Sequence, residues 1–407
     1  MVEPVEDDSH RGHAAKVHLG EEARESDAVA VLTGGPQGAR VATVSPRLRI
    51  QILTALAASN LAAQDAPALR SRDHQRVAAV KLHEERVIPW GEQGLPALPA
   101  NQPLRTLSLA FTGDGTHLVV QMETEWRCIE VATGSLAVLP SLGAWTLWGS
   151  VSGPRVYACH QGGLAFVTVR KGDVETIVES TSTRVRGGMV MRSDASTRAW
   201  FVEPTGERAI CSHPPQILEF ASGAVTPIAG KAMPTWAVWG ADQQHVAMVR
   251  YEGTKNPTEV AIEVLDRRGE SLARFATPRL TYCELDVGGR FVWWLSPSLC
   301  RGEINTGTST VAKGPDQVWF WQVDPVLGIG LDGSEFCLWN LTDLEPVRRV
   351  PIGETRPANA DAIQARTGAR MRASVGCVLC PGAVATQRRD RIAISTFTGL
   401  RIFRVES

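Results

Sequence analysis

One Cys-x-x-Cys pair has the spacing required for metal or redox chemistry, at Cys377-Val-Leu-Cys380. A structural zinc site needs about four ligands and usually takes them from a second such pair. The cysteines nearest to histidines, in Cys159-His160 and Cys211-Ser-His213, stand far from this pair in the sequence. A redox dithiol normally lies at a helix start, whereas the residues around this pair are typical of a strand. We therefore interpret both cysteines as core thiols and predict neither a metal nor another cofactor.

Two glycine-containing segments carry residues of catalytic motifs without their spacing. Gly149-Ser-Val-Ser-Gly153 does not place a serine midway between its glycines, as a Gly-x-Ser-x-Gly nucleophile elbow requires. Gly230-Lys231 is not a phosphate-binding loop, because Val225 replaces the upstream glycine and no serine or threonine follows the lysine. The sequence therefore predicts no catalytic residues, and we expect the protein not to be an enzyme.

Composition and charge exclude several classes of function. The chain has 407 residues, with 42 Lys+Arg against 43 Asp+Glu, so no overall field attracts nucleic acid or an anionic membrane. Its 43% hydrophobic and 21% charged residues are typical of a globular protein. No apolar run reaches the roughly 18 residues of a transmembrane helix, and we expect no membrane association.

Cysteine use and the N-terminal sequence indicate the cellular compartment. Residues 1–27 are rich in acidic residues and histidine, lack the order of a signal peptide, and are expected to form a disordered tail. Eight cysteines in so long a chain do not make a disulfide framework, and most lie in apolar, strand-like runs. We therefore predict buried free thiols and a cytoplasmic location. Only 6 of the 42 basic residues are lysines, which suggests a bacterial source.

A short pattern recurs along the chain, in which alternating apolar residues precede a small polar turn. Examples are Ile129-Glu-Val-Ala-Thr-Gly134, Val167-Thr-Val-Arg-Lys-Gly172 and Ile262-Glu-Val-Leu-Asp-Arg-Arg-Gly269. Between residues 134 and 343, successive turns are 38, 51, 46, 38 and 36 residues apart. This spacing matches the period of roughly 40–45 residues that four-stranded propeller blades show.

Each copy of the pattern has the same neighbours. Two apolar strands separated by a polar or glycine turn precede it, as at Leu107–Phe111 and His117–Gln121, and a short strand follows it, as at Leu136–Leu139. Four antiparallel strands per unit predict a propeller blade. Because a single blade cannot bury both of its faces, we expect the blades to pack side by side in a closed ring.

The number of third strands predicts seven blades and a particular closure. The seventh copy, Ile402-Phe-Arg-Val405, leaves no room for a fourth strand after it. An open edge would leave backbone groups unpaired, so the missing strand is expected from the N-terminal side. Residues 84–90 resemble other fourth strands, and we predict that they pair with residues 400–405 to close a propeller spanning 84–407.

Over residues 84–407 the chain resembles the WD40-type seven-bladed β-propeller family. The resemblance rests on the period, the strands per repeat and the closing strand. Trp339-Asn340 is the one copy that keeps tryptophan at the end of the third strand, and the family's Gly-His dipeptide does not recur. The resemblance implies an all-β fold and, as a tendency, an adaptor function that binds protein partners.

Residues 28–83 are expected to form an N-terminal extension before the propeller. Ser45-Pro46 is typical of a helix start, and apolar residues at helical spacing predict a helix over about 46–64. This helix either packs on the propeller or docks a partner. The segment 67–83 is ambiguous between helix and strand.

An insertion at 353–375 is longer than a turn requires. It contains four arginines, within a stretch of net charge +5 from residue 356 to 391, and three of them are candidate interaction residues: Arg366, Arg370 and Arg372. The insertion is either a solvated loop or a surface for an anion or an acidic partner. Because it lacks aromatic residues, nucleic-acid binding is not favoured.

Four aromatic residues fall at equivalent positions, at the start of the innermost strand of four blades. They are Trp145, Trp236, Tyr282 and Trp319. Aromatic side chains at this position either fill the space between blades or form a rim around the channel mouth that a partner contacts. We predict the second role, together with the arginine-rich insertion, as the interaction surface.

The innermost strands are otherwise mostly apolar, and the polar candidates on them, Glu284, Asp316 and Gln322, are scattered without a convergent acid, base and metal set. The preferred hypothesis is therefore a non-catalytic scaffold in a bacterial cytoplasmic complex, with one or more protein partners. Two alternatives remain open. In the first, the protein is an enzyme or a small-ligand sensor that uses the central channel. In the second, the insertion binds an anion or nucleic acid.

Overall fold

The computed structural model describes residues 69–406 except for 92–94, 96–107, 123–124, 140–144, 161, 170–171, 179–198, 229–233, 253–258, 279, 281, 287–288, 297, 333–334, 354–382 and 397–398. The chain divides into two compact units, residues 1–69 and 70–407, and nearly all described residues belong to the second. The predicted tail, the predicted helix at 46–64 and, apart from Gly353, the predicted insertion lie outside the described residues.

From residue 69 onward, one helix and one strand are described before the regular repeats. Helix α1 covers residues 69–79, and strand β1 covers Lys81–Pro89. The segment that the sequence left ambiguous is thus a helix followed directly by a strand. No helix within the described part of the chain has the length and apolarity needed to cross a membrane.

Blades 1 to 3 are four-stranded antiparallel sheets of consecutive strands. Blade 1 consists of β2 to β5, at Ser108–Phe111, His117–Gln121, Trp126–Glu130 and Leu136–Leu139. Blade 2 consists of β6 to β9, at Thr146–Val151, Arg155–His160, Gly163–Thr168 and Asp173–Val178. Blade 3 consists of β10 to β13, at Trp200–Val202, Arg208–Ser212, Pro215–Glu219 and Val225–Pro227.

Blades 4 to 6 repeat the same order. Blade 4 consists of β14 to β17, at Pro234–Trp239, His245–Glu252, Glu259–Asp266 and Ser271–Thr277. Blade 5 consists of β18 to β21, at Tyr282–Leu285, Phe291–Ser296, Ser298–Glu303 and Thr308–Val311. Blade 6 consists of β22 to β25, at Trp319–Gln322, Leu327–Leu331, Glu335–Asn340 and Glu345–Pro351.

Blade 7 closes the ring with strands from both ends of the propeller. Its first three strands, β26 to β28, are Ala383–Ala385, Arg391–Ser395 and Gly399–Glu406. Strand β1 is the fourth, antiparallel to β28 from Lys81 opposite Glu406 to Pro89 opposite Gly399. The predicted seven-bladed all-β propeller and its N-terminal closing strand are confirmed. The strand begins three residues earlier than the predicted residue 84.

Side-chain contacts reinforce this closure. Trp90 donates its indole N–H to the carbonyl of Thr396 at 2.8 Å, and Arg391 pairs with Glu85 at 2.8 Å. Ile88 is fully buried in a cluster formed with blades 7 and 1. The strand therefore satisfies the backbone of β28 and also supplies apolar core to the seam.

The hydrophobic core lies between neighbouring blades. Trp293 of blade 5 packs on Phe320 of blade 6 with ring centroids 5.8 Å apart, and Phe336 of blade 6 meets Phe403 of blade 7 at 4.9 Å. Each blade thus buries its faces against two others, as the sequence periodicity predicts.

Helix α1 packs at the seam between blades 6 and 7. Val77 and Val80 are buried there, and Arg76 forms a 2.7 Å ion pair with Asp324 of blade 6. Arg348 donates to the carbonyl of Ala78 at 3.0 Å, so it satisfies an acceptor that the helix end leaves unpaired. These contacts fix α1 and hence the direction in which β1 enters blade 7.

Candidate functional site

The first strand of every blade lines the ring axis. Strands β2, β6, β10, β14, β18, β22 and β26 are edge strands of their sheets, and neighbours among them are in contact, such as β14 with β18 and β18 with β22. Every blade repeats the same strand order, so the starts of these strands share one end of the channel. Their last residues share the other end.

Three of the four predicted aromatic residues form a contiguous row at the starting end, which we call the aromatic arc. Trp236 meets Tyr282 edge-on at 6.3 Å between ring centroids, and Tyr282 meets Trp319 edge-on at 5.6 Å. Trp236 is 40% exposed, whereas Tyr282 and Trp319 are partly buried. The arc therefore spans blades 4, 5 and 6 and presents one large apolar side chain to solvent.

Trp145 is separate from the arc. Its ring lies 5.7 Å from that of His160 within blade 2, and its carbonyl accepts a 2.8 Å hydrogen bond from Gln121 of blade 1. The remaining interaction residues predicted from sequence lie outside the described residues: Arg366, Arg370 and Arg372. The Cys377 and Cys380 pair is likewise outside them.

Sequence reasoning missed one exposed tryptophan on an innermost strand. Trp148 is 42% exposed and is the extra residue of a β-bulge in β6, between Leu147 and Gly149. Its ring meets that of Phe201 in blade 3 edge-on at 5.6 Å. Bulges redirect a side chain, and their position depends on strand register that the sequence pattern alone does not reveal.

A cavity of about 450 Å³ occupies the opposite end of the channel. Its walls are the last residues of the innermost strands and the turns that follow them. Six of the lining residues are Ser150, Pro204, Trp239, Gln243, Glu284 and Arg389. This volume falls within the range of small-molecule sites.

The turn after the first strand has the same hydrogen bond in five blades, from the N–H of its fourth residue to the carbonyl of its first. The fourth residue always has a φ of +58° to +79°: Gly115, Gly206, Gln243, Gly289 and Arg389. Glycine adopts this conformation without steric cost, whereas a residue with a Cβ does not. Arg389 therefore holds a strained backbone position that three other blades assign to glycine.

Arg389 reaches from blade 7 across the cavity to blade 5. Its guanidinium pairs with Glu284, whose side chain is almost completely buried. The other carboxylate oxygen of Glu284 accepts a 3.2 Å hydrogen bond from the backbone N–H of Gln322 in blade 6. The side-chain amide of Gln322 donates to Asp286. One polar network thus links three blades at this end.

Gln387, two residues before Arg389 in the same turn, extends in another direction. The side-chain amide of Gln387 donates to Ser150 of blade 2 at 3.2 Å and to the carbonyl of Pro204 of blade 3 at 3.3 Å. The turn of blade 7 therefore contacts blades 2, 3 and 5 at this end of the channel.

The environment of Glu284 favours its neutral form. Burial raises the pKa of Glu284 from 4.5 to about 7, and Asp286 adds to this, although Arg389 and the Gln322 N–H lower it. Desolvation thus outweighs attraction to the guanidinium. A carboxyl group that titrates near neutrality in a cavity is a candidate functional group.

Glu284 and Gln322 are scattered along the sequence, and the structure brings them together. Asp316 is elsewhere, exposed and 3.4 Å from the hydroxyl of Ser298. Arg389 and Asp286 complete the network and were not identified. Among the residues with described positions, no three His, Cys, Asp or Glu side chains converge on one point that a metal ion would occupy.

The six cysteines in the described ranges are buried and form no disulfide bonds with one another. Burial raises the pKa of Cys159 to about 12 and that of Cys300 to about 11. Such thiols remain protonated at neutral pH and are poor nucleophiles. These six cysteines therefore act as small apolar core residues, as the sequence predicts.

Comparison with known protein families finds no family model that matches this chain, and comparison with curated proteins finds no significant relative. The class of the protein therefore rests on its own architecture. Seven four-stranded antiparallel sheets in a ring define a seven-bladed β-propeller, which is consistent with the WD40-like resemblance of the sequence.

Proposed function

We propose that the protein is a non-catalytic interaction scaffold that docks a protein partner on the aromatic arc. Propellers commonly serve as interaction scaffolds, but fold alone does not determine function. The observation that carries the proposal is the 40% exposure of Trp236 beside two further aromatic rings on adjacent blades. Partly exposed tryptophan and tyrosine contribute most often to interface energy.

The arc is suited to an apolar segment of a partner protein. Its edge-on contacts hold Trp236 and Tyr282 in defined orientations, so little side-chain entropy is lost on binding. The rings sit on first strands of three blades, which are rigid elements of a closed ring. We expect leucine, methionine or proline side chains of the partner to pack against the exposed indole.

We further propose that this complex is assembled in a bacterial cytoplasm. The support is the set of six buried free cysteines and the small share of lysine among basic residues. The arginine-rich insertion at 353–375 remains a second candidate surface for an acidic partner on charge grounds alone.

The experiment compares two tryptophans of nearly equal exposure. Tagged full-length protein, Trp236→Ala and Trp148→Ala are used to capture partners from the source cell, with quantification by mass spectrometry. Trp148 is the matched control, because it is 42% exposed but lies outside the arc. Melting temperatures of all three proteins are measured in parallel.

The proposal expects one or more partners to be retained by Trp148→Ala and depleted at least tenfold by Trp236→Ala, with both variants folded. Equal capture by both variants would contradict docking on the arc. If Trp236→Ala does not fold, Trp236→Phe is used instead, because it keeps an aromatic ring of smaller contact area. If Trp236→Phe captures the partner as well as wild type does, this counts against the proposal.

A further inference from the structure

The cavity at the channel mouth contains a polar network that stability does not explain. Arg389 occupies a φ of +60°, where glycine stands in three equivalent turns. A left-handed conformation costs about 1–2 kcal/mol for a residue with a Cβ. A fold that needed only to complete this turn would gain stability from glycine there.

The buried carboxylate adds a second cost. Glu284 is 2% exposed, and burial disfavours its ionised form more than Arg389 favours it. Buried ion pairs of this kind are often less stable than apolar packing of the same volume. Two unfavourable features in contact across a cavity indicate a binding function rather than a structural one.

Both carboxylates of the network have partners, whereas one arginine that lines the cavity is not paired with a carboxylate among the described residues. Glu284 is occupied by Arg389 and the Gln322 N–H, and Asp286 is occupied by the Gln322 amide. Arg388 is exposed, lines the cavity, and has no acidic partner among the residues whose positions are described. Guanidinium groups recognise carboxylates and phosphates through paired hydrogen bonds.

We propose that this cavity binds a small molecule bearing a carboxylate or phosphate group, held by Arg388 and Arg389, and that the bound anion replaces the Glu284 carboxylate on Arg389. The volume of about 450 Å³ accommodates such a ligand. Polar side chains of Ser150, Gln243 and Gln387 line the same space, in which the Gln387 amide already donates to Ser150 and to the Pro204 carbonyl. This site is at the opposite end of the channel from the aromatic arc and does not depend on the proposed scaffold function.

The exchange of partners has a consequence for protons. A carboxylate that loses its guanidinium and gains an anion as neighbour takes up a proton. The charged or titratable groups near Glu284 along its own chain segment are Asp286, Cys283 and Tyr282. From blades 6 and 7 it is contacted by the Gln322 N–H and by Arg389. Blade 4 contributes uncharged Trp239 and Gln243 to the cavity wall. Burial raises the pKa of Glu284 to about 7, so ligand binding is coupled to its protonation.

The test measures binding of two probes, inorganic phosphate and succinate, to the full-length protein by titration calorimetry. Above pH 7 the Kd of wild type for succinate, which is fully ionised there, is expected to rise roughly tenfold per pH unit, because one proton is taken up. Inorganic phosphate itself titrates in this range, so its Kd is compared between wild type and variants at a single pH. Buffers that differ in ionisation enthalpy measure this proton directly. The probe that binds, inorganic phosphate or succinate, identifies the ligand group as a phosphate or a carboxylate.

Three variants make the result specific. Glu284→Gln keeps the shape of the side chain but removes the competing charge, so at pH 8 its Kd for either probe is expected to be about tenfold lower than that of wild type. For succinate, its Kd is also expected to be independent of pH above pH 7. Arg389→Gly restores the residue favoured in this turn and is expected to lose binding. Arg290→Gln, which changes an exposed arginine outside the cavity lining, is expected to bind as wild type does.

The proposal is overturned if neither probe binds wild type or Glu284→Gln at concentrations up to about 10 mM. A Kd of that size corresponds to a binding free energy of roughly 3 kcal/mol. Unchanged affinity in Arg389→Gly, or weaker affinity in Glu284→Gln, would overturn it as well. If Glu284→Gln does not fold, proton uptake by wild type still tests the proposal. Binding of a probe without proton uptake would contradict the replacement of the Glu284 carboxylate by the anion.

Discussion

The two ends of strand β18 present opposite chemistry within four residues. Tyr282 begins the strand in the centre of the aromatic arc, and Glu284 lies near its end in the polar network of the channel mouth. At the first end, neighbouring blades meet through aromatic rings. At the second, they meet through an arginine that crosses from blade 7 to blade 5.

This difference shows how one repeated strand supports two kinds of site. At the aromatic end, contacts between rings are insensitive to pH and salt and contribute modestly to stability. At the polar end, the interaction depends on the protonation of Glu284. The same packing between blades positions both ends of the strand. The effect of a substitution at one end can therefore be compared with the effect of a substitution at the other.

Opening the ring should disrupt the aromatic arc and the polar network at once, and this is the largest effect that we expect. Deletion of Met1–Trp90 removes β1 and leaves β28 with an unpaired edge, so we expect loss of soluble folding. Deletion of residues 1–68 retains α1 and β1 and serves as the control. Circular dichroism and size-exclusion chromatography distinguish the outcomes. A monomeric Met1–Trp90 deletion with unchanged melting would refute the role of β1.

The polar end should respond to pH. The pKa of Glu284 is raised from 4.5 to about 7 on folding, so between these values the folded protein holds a proton that the unfolded chain has released. The free energy of unfolding therefore falls as pH rises from about 5 to about 8, by roughly 3 kcal/mol from this group.

Denaturant unfolding of wild type and of Glu284→Gln, each at about pH 5 and about pH 8, isolates this contribution. The fall should be smaller in the variant by the stated amount, since all other titrating groups are shared. Parallel pH profiles for the two proteins would show that Glu284 ionises normally and would remove the contrast between the two ends.

The aromatic end should respond to truncation and not to pH. Trp236→Ala removes a partly exposed ring and its edge-on contact with Tyr282, so we expect a loss of about 1 kcal/mol at both pH 5 and pH 8. Trp293→Ala, at a fully buried position, is the reference and should cost about 3–5 kcal/mol. A loss of that size for Trp236→Ala would indicate that the arc is part of the core.

The sequence predicted the fold more completely than the sites. Seven blades and the closing strand follow from a regular period and from the need to pair the edge of Ile402–Val405, both of which are local patterns. The row of Trp236, Tyr282 and Trp319 also follows, because equivalent positions in adjacent blades become neighbours. Trp145 does not belong to the row, because it packs against His160 in its own blade.

The polar network was harder to predict because its members come from different blades. Glu284 and Gln322 look scattered along the chain and meet only when blades 5 and 6 close on each other. One signal was present in the sequence: when the five turns are aligned, Arg389 stands where Gly115 and Gly289 stand in other blades. A large charged residue at a position that favours glycine indicates a role for its side chain.

The smallest predicted effect is also the most specific to the polar end, because its sign should change with pH. Arg389→Gly relieves the strained φ of +60° and removes the partner of Glu284. At pH 5, where Glu284 is protonated, the relief should dominate and stabilise the protein by up to about 1 kcal/mol. At pH 8 the unpaired carboxylate should outweigh it and leave a net loss of about 1 kcal/mol.

Gln243→Gly is the matched control, because Gln243 holds the same turn position in blade 4 with a φ of +58°. Its own contact with Arg208 is made by the backbone carbonyl, which the substitution keeps. It should therefore stabilise the protein by a similar amount at both pH values, as measured by denaturant unfolding. If both variants gain stability at pH 8, the guanidinium of Arg389 contributes nothing to holding the Glu284 carboxylate, and the polar end is only a turn with an unfavourable residue.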